Sequence, residues 1–185
     1  MILSRTNSRL FEGLLTVKVP FHVIGGFETI AVQLLSALAL SRNAPRSEIK
    51  DALVMSYRNW GEMVADAKDG DDPEVRRLVK IVDDYGERLT SIIDELRTIH
   101  CPNIGAAKLI LSTAHKSKGL EAPTVVVLDD FQTIAELREQ MAARKLRRVD
   151  FDQELHLKYV ATTRCTNRLL LAGALWSEVE HLVKQ

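Results

Sequence analysis

Short apolar runs alternate with amphipathic segments at both ends of this chain, and this alternation is missing from its middle. The runs lie at 2–4, 21–24, 108–112, 124–128 and 169–172. Runs of this length that are rich in β-branched residues and bounded by helical patterns are typical of buried strands in a parallel sheet. The sequence therefore predicts an α/β layer built from the two ends of the chain.

The middle of the chain is predicted to be all-helical. From Val75 to Ile99, apolar residues recur at spacings of three, four or seven, and Gly86 predicts a break between two helices. Further helices are predicted at 47–57 and 61–68, with another apolar stripe from Ile30 to Ala39. We therefore predict a sheet domain formed by residues 1–27 and 105–185, and a helical insertion at 28–104.

Helices are also expected beside the strands. Asn7 or Ser8 is predicted to cap a helix that continues to about Lys18, and Asp150 one that continues to about Thr163. Two more helices are predicted at 135–148 and 177–184.

The totals exclude several classes of protein. The length of 185 residues is typical of one domain, or of one domain with an insertion. The 25 basic residues balance 25 acidic residues, so any anion site must be local. Two cysteines make no disulfide framework and fit a reducing setting. Because no apolar run reaches the roughly 18 residues of a membrane span, no membrane partner is expected.

The loop between two predicted strands has an unusual composition. Residues 111–130 read LSTAHKSKGLEAPTVVVLDD, which places a histidine, two lysines and a glycine between two apolar runs. In open α/β sheets, ligands bind at the carboxyl ends of strands. Lysine binds phosphate as a point charge, and Gly119 permits a positive φ angle. By spacing alone, a solvated connection explains this loop equally well.

Two arginines lie in apolar surroundings elsewhere in the chain. Arg5 follows the first predicted strand in ILSRTNSR, and Arg164 lies in ELHLKYVATTRCTNRLLL at 154–171. A half-buried guanidinium needs an anionic partner, and its planar fork suits phosphate. Pairing with one of the many acidic side chains of the chain is the alternative.

Taken together, these stretches resemble motifs IV, V and VI of the second RecA-like domain of UvrD/PcrA/Rep-type superfamily 1 DNA helicases. The matching segments are Arg5-Thr6-Asn7 with the double glycine of HVIGGF at 22–27, STAHKSKGLE at 112–121, and YVATTR at 159–164. TAHKSKGLE, VVVLDDF and IVDDYGERL are most similar to the F-box DNA helicase branch. The resemblance implies a RecA-like (P-loop NTPase-like) parallel sheet flanked by helices, in which the helical insertion is a reduced form of the family's variable 2B domain.

In that family, ATP with Mg²⁺ binds between two RecA-like domains. The resemblance implies that Arg5 and Arg164 reach the γ-phosphate from the second domain and act as the catalytic residues. It also implies that Glu121 binds the ribose, and that Lys118 and Gly119 shape the nucleotide side of motif V. Most ligands of the nucleotide would come from the first RecA-like domain of the same protein.

The resemblance also implies contacts with single-stranded DNA or with single/double-strand junctions. His115, Thr113 and Lys116 would face the strand, together with Gly25 and Gly26. One loop that touches both nucleotide and DNA would explain its composition.

The sequence departs from the family pattern at three places. Ser4 stands where an aromatic residue often stacks on adenine, and Leu155 and His156 replace two basic residues of motif VI. The chain has no GxxxxGK[ST] motif, so we expect it to be inactive alone and to be a piece of a longer protein. Asp129 and Asp130 imitate an acidic Mg²⁺ pair, but we interpret them as part of motif V.

Three functional hypotheses follow. The first is the C-terminal part of an ATP-dependent 3′→5′ DNA helicase, located in the nucleus or, in a bacterium, the cytoplasm at the nucleoid. The second is a non-catalytic nucleic-acid-binding or protein-interaction module that retains the fold. The third is the motor half of a helicase–nuclease, which would need a carboxylate-rich segment further along the parent protein.

Overall fold

The computed structural model describes residues 1–70 and 72–173. They form two compact units. The sheet unit consists of Met1–Arg5 and the described residues from Ile110 onward, and the helical unit of Thr6–Leu109.

The described residues contain five strands and eight α-helices. The strands are β1 (Ile2–Ser4), β2 (Phe21–Val23), β3 (Leu109–Thr113), β4 (Ala122–Val127) and β5 (Cys165–Leu171). The helices are α1 (Asn7–Leu14), α2 (Phe27–Ser41), α3 (Ala52–Met55), α4 (Trp60–Asp69), α5 (Pro73–Tyr85), α6 (Arg88–Ile99), α7 (Ile134–Ala142) and α8 (Arg148–Thr162).

The sheet unit contains a parallel sheet in the order β3-β1-β4-β5. Strand β1 lies in its interior, where Leu3 is in register with Ser112 on one side and Val127 on the other. Parallel neighbours that are distant in sequence require crossover connections, which here contain helices. The predicted α/β, RecA-like fold class is confirmed.

A small apolar core holds the sheet unit together. Val125 and Val127 of β4 are fully buried, as expected for alternate β-branched residues on one face of a strand. Helix α8 packs against them through Leu157 and Ala161, which are four residues apart and therefore lie on the same helical face. Helix α8 therefore runs along the sheet, from Glu154 near the carboxyl end of β1 to Thr162, shortly before β5 begins.

The helical unit is organised around α2, most of whose residues are buried. The predicted break between α5 and α6 is confirmed, because Gly86 adopts a φ of 49°, which L side chains rarely tolerate. Polar contacts join α5 to α1. Glu74 accepts hydrogen bonds from the backbone and side chain of Ser8, and Arg77 pairs with Glu12 at 2.7 Å.

The predicted helix at 47–57 was wrong. The chain forms a 3₁₀ turn at Arg46–Glu48 and then the separate helix α3. The backbone N–H groups of Lys50 and Asp51 donate to Ser36 Oγ instead of continuing a helix, and the Asp51 carboxylate caps α3. A side chain from the preceding helix, α2, therefore overrides the local pattern.

Three helix boundaries also differ from prediction. Helix α1 is capped by Thr6 and ends at Leu14, because a turn follows in place of the last predicted residues. Helix α7 ends at Ala142, since Arg144 takes a left-handed φ of 58° that no α-helix continues. Helix α8 begins at Arg148 after the cap residue Arg147, so Asp150 lies in its first turn. The predicted helix at 177–184 lies outside the described residues.

The predicted domain limits, 1–27 with 105–185 and 28–104, remain a prediction. The compact units have different limits, because residues 6–27 and 105–109 group with the helical unit. Strand β2 makes local contacts there, with Phe21 bridging His100 in parallel. None of the described helices combines the length and the apolar character that crossing a membrane requires.

Candidate nucleotide and nucleic-acid site

Three strand ends meet at one edge of the sheet unit. Arg5 follows β1, the loop at 114–121 follows β3, and Asp130 comes shortly after β4. Because these strands are parallel neighbours, their carboxyl ends lie at the same edge. The local topology therefore places an arginine, a lysine-containing loop and an acidic residue close together.

Arg5 makes hydrogen bonds to acidic side chains through both its backbone and its side chain. Its backbone N–H donates to Asp130 Oδ1 at 2.9 Å, and Asp130 is buried. Its guanidinium pairs with Glu154 on α8, with Nε at 3.1 and 3.0 Å from the two carboxylate oxygens and Nη2 at 2.6 Å from Oε1. The side chains of Arg5 and Glu154 are 27% and 17% exposed, so the pair lies mostly out of water.

The loop after β3 is shaped by its own backbone. Ser117 is buried and donates its N–H to Thr113 O at 3.0 Å and its hydroxyl to Ala114 O at 2.8 Å. Leu120 N–H then donates to Ser117 O, and Gly119 adopts a φ of 80°. These turns bury Ser117 and expose His115 and Lys118 on the outside of the loop.

A cavity of about 230 Å³ lies between this loop and α8. It is lined by Ala114, His115, Lys118, Gln153, His156, Leu157 and Val160. The apolar members form part of the wall, and the polar members are cationic or neutral. No carboxylate is among the described residues that line it. Lys118 carries the positive charge of this lining, and the Glu154 carboxylate lies close enough to act on His115.

The pKa of His115 is set first by burial and second by the charges around it. Its pKa is lowered from the ordinary value of 6.5, mainly because the surrounding protein removes water from the ring. The positive charges of Arg5 and Lys118 lower the pKa further, and Glu154 opposes them. Near neutral pH, His115 is therefore a neutral hydrogen-bonding group.

Arg164 is held differently from Arg5. Its Nε donates to Val160 O at 3.0 Å, its Nη1 to Leu120 O at 3.4 Å, and its Nη2 to Thr163 Oγ1 at 3.0 Å. Within the described part of the chain, its side-chain hydrogen bonds all go to neutral oxygens. A half-buried guanidinium with neutral acceptors only is a ready partner for an external anion.

Glu121 lies directly beside Arg164. The neighbour on its N-terminal side, Leu120, accepts from the Arg164 side chain, and Ala122 on the other side donates its N–H to Arg164 O at 3.0 Å. The Glu121 side chain is exposed. Its carboxylate is therefore accessible as a hydrogen-bond acceptor for a hydroxyl group, and its ribose contact remains a prediction.

The predicted DNA-contacting residues fall into different environments. His115 is exposed and Lys116 is half-buried, whereas Thr113 is only 6% exposed at the end of β3. Gly25 and Gly26 belong to the helical unit, where they have φ angles of 86° and 89° in the turn before α2. The DNA contacts of all five residues remain predictions.

Sequence reasoning missed the specific roles of Glu154 and Asp130. It foresaw that Arg5 could pair with an acid, but it did not single out Glu154, which is 149 positions away. Asp130 was interpreted only as part of motif V, and its contact with the Arg5 backbone was not foreseen. A signal for Asp130 was available, because an acid shortly after a strand lies near the end of the neighbouring parallel strand.

Two guanidinium groups of the sheet unit suit a phosphate group, and they lie at opposite ends of the strands. Arg5 follows the carboxyl end of β1, whereas Arg164 precedes β5 and accepts at its carbonyl from Ala122 at the start of β4. Arg5 already binds a carboxylate through Nε and Nη2, which is also the guanidinium edge that binds two phosphate oxygens. Arg164 has only neutral acceptors in the described residues, and Lys118 lines the adjacent cavity. Within residues 1–70 and 72–173, no group of three or more His, Cys, Asp or Glu side chains could hold a metal ion. ATP with Mg²⁺ remains a prediction, in which most ligands come from another domain.

Comparison with known proteins identifies relatives among helicases. The chain matches no protein-family model. It is 27% identical over 199 aligned residues to F-box DNA helicase 1 of Gallus gallus, covering 98% of this chain and 19% of that protein. It is 29% identical over 188 aligned residues to F-box DNA helicase protein 1 of Schizosaccharomyces pombe, covering 92% of this chain and 20% of that protein.

The chain spans about a fifth of the length of these curated relatives. The aligned region covers nearly all of the chain, so it includes both the sheet unit and the helical unit. The predicted resemblance to DNA helicases, including the F-box branch, is confirmed.

Proposed function

We propose that this chain is the C-terminal RecA-like part of an ATP-dependent 3′→5′ DNA helicase. The names of its relatives support a helicase-related role. The finer proposal is that Arg5 and Arg164 complete an ATP site whose other half lies in an N-terminal RecA-like domain of the same protein. Such a protein would be located in the nucleus or, in a bacterium, at the nucleoid.

The observation that carries this proposal is the arrangement of the loop at 114–121 along α8. Arg5 reaches α8 at Glu154, and Arg164 binds the carbonyl of Val160 on the same helix. Positions 154 and 160 are about 9 Å apart along a helix axis. Two guanidinium groups that share one helix and one loop can serve a single polyphosphate ligand.

Each arginine has a distinct physical task in this proposal. Negative charge grows on the phosphoryl oxygens during phosphoryl transfer, and a guanidinium fixed nearby stabilises it. ATP with Mg²⁺ supplies the phosphoryl group and its divalent counter-ion. Arg164 is already oriented by three hydrogen bonds, so it loses little side-chain entropy on binding an anion.

The exposed face of the same loop is proposed to bind single-stranded DNA. His115 and Lys116 would contact backbone phosphates, and such contacts are independent of base sequence. Lys118 and Glu121 occupy the neighbouring positions and are assigned to the nucleotide. A loop stiffened by Ser117 would transmit a change at one ligand to the other.

The experiment is an ATPase assay on the full-length parent protein, with and without oligodeoxythymidylate, at two salt concentrations. We expect hydrolysis to be stimulated by DNA and the stimulation to weaken at the higher salt concentration, because phosphate contacts release counter-ions. DNA binding without turnover would exclude the motor and leave a non-catalytic binding module. Absence of both would exclude the proposal altogether.

A further inference from the structure

The Arg5–Glu154 pair lies at the carboxyl end of β1, and neither residue belongs to the apolar core of the sheet unit. The apolar core is formed by other residues, including Leu157 and Ala161 of the same helix. A mostly buried ion pair is weak evidence for stability, because desolvation of the charges offsets their attraction. Its position beside the cavity therefore points to a functional role.

The geometry of the pair imitates the binding of a phosphate group. Both Nε and Nη2 of Arg5 face one carboxylate, with contacts of 2.6 to 3.1 Å. A guanidinium binds two phosphate oxygens with the same fork. The Glu154 carboxylate thus occupies the edge of Arg5 that a phosphate group would use.

The backbones at both ends of the pair are fixed. The backbone N–H of Arg5 is held by Asp130, and α8 is anchored in the core through Leu157 and Ala161. Any exchange of partners must therefore occur by rotation of side chains. The adjacent cavity, lined by His115, Lys118 and His156, offers positive and neutral donors to an incoming anion.

We propose that Glu154 is a positioning residue whose carboxylate takes the place of a phosphate group on Arg5. A phosphate group that binds Arg5 must displace this carboxylate. This inference rests on the phosphate-contacting role proposed for Arg5. Glu154 keeps the guanidinium oriented, and it also competes with weakly bound anions. A phosphate group that gains both Arg5 and the cavity-lining Lys118 replaces it.

The test uses this 185-residue chain with inorganic triphosphate as the probe and isothermal calorimetry as the readout. We expect Glu154→Gln to bind triphosphate about three- to tenfold more tightly than the unmodified chain, because the neutral amide competes less with the anion. The matched control is Glu12→Gln, which removes a carboxylate of similar exposure from the Arg77 pair of the helical unit. The control affinity should be unchanged.

A second measurement requires no variant at Glu154. The side-chain Nε–Hε resonance of Arg5, assigned by its loss in Arg5→Lys, should shift when triphosphate is added, whereas that of Arg77 should not. A purely structural ion pair would leave the Arg5 resonance in place. An unmoved Arg5 resonance at saturating triphosphate, equal or weaker affinity of Glu154→Gln, or no binding at all would each overturn the proposal.

Two further measurements complete the test. One distinguishes the possible sources of the phosphate group, and the other distinguishes the failure of this proposal from the failure of the proposed function. Oligodeoxythymidylate in place of triphosphate tests whether a nucleic-acid backbone displaces Glu154; the same Arg5 shift would identify it as a source. A parent protein without ATPase activity, whose chain still shows the triphosphate response, would exclude the motor but retain the role of Glu154. A parent protein with ATPase activity, whose chain shows no triphosphate response, would exclude only the role of Glu154.

Discussion

Arg5 and Arg164 are two guanidinium groups of one compact unit that meet opposite electrostatic conditions. Arg5 is neutralised by a carboxylate, whereas Arg164 is held by neutral oxygens in the described residues. An anion that approaches Arg5 must displace a charge, and one that approaches Arg164 needs no such exchange. The comparison teaches that two arginines of one unit can have very different partners, one a carboxylate and the other neutral oxygens.

The largest expected effect is at the arginine with neutral partners. In the full-length parent, Arg164→Ala should lower kcat for ATP roughly 10³- to 10⁵-fold, because transition-state charge loses its stabilising guanidinium. DNA affinity should remain largely intact. The control is Arg168→Ala, an exposed arginine of β5. Unchanged turnover of Arg164→Ala in the ATPase assay would remove Arg164 from the site.

The next prediction compares how strongly each arginine is coupled to a carboxylate in the free energy of unfolding. A double-mutant cycle of Arg5→Ala and Glu154→Ala, measured by urea unfolding of this chain, should give a coupling energy of about 1–2 kcal/mol. The reference cycle uses Arg164 and its exposed neighbour Glu121. It should give no measurable coupling, since a solvated charge contributes little. Equal coupling in the two cycles would mean that the electrostatic contrast does not hold.

A smaller effect is expected in the loop that runs between the two arginines. Gly119→Ala should lower the free energy of unfolding by about 1 kcal/mol, because an L side chain is strained in the left-handed region. Its φ is 80°, and no atom lies within 4 Å of an added Cβ, so strain is the sole cause. Gly105→Ala serves as the control, since its backbone has no positive φ. Equal stability of the two variants in urea would show that Gly119 is not needed.

The smallest expected effect is a shift in the pKa of His115, which lies at the Arg5 end of the loop. The pKa of His115, measured by NMR, should lie below 6.5, rise in Lys118→Ala and fall further in Glu154→Gln. Because the folded state disfavours the protonated ring, the unfolded chain binds more protons between these pKa values. His115 therefore contributes a loss of stability as pH falls below about 6.5. Shifts of opposite sign would reverse the inferred local field.

Local patterns predicted those features that depend on neighbours in the chain. The break at Gly86 follows from one residue, and strand β4 follows from a β-branched run. The helix predicted at 47–57 failed because Ser36, on another helix, binds the backbone at Lys50 and Asp51. Such a contact leaves no trace in the local pattern.

Local sequence patterns were enough to predict the α/β class, the helical middle and the residue types of the candidate site. Periodicity and motif composition are encoded within short windows, so they are readable without coordinates. Tertiary structure alone decided which acid meets which arginine. Glu154 and Arg5 are 149 positions apart, and many carboxylates could have been the partner. The sheet register and the packing of α8 bring these two together, because the buried faces of β4 and α8 fix both backbones.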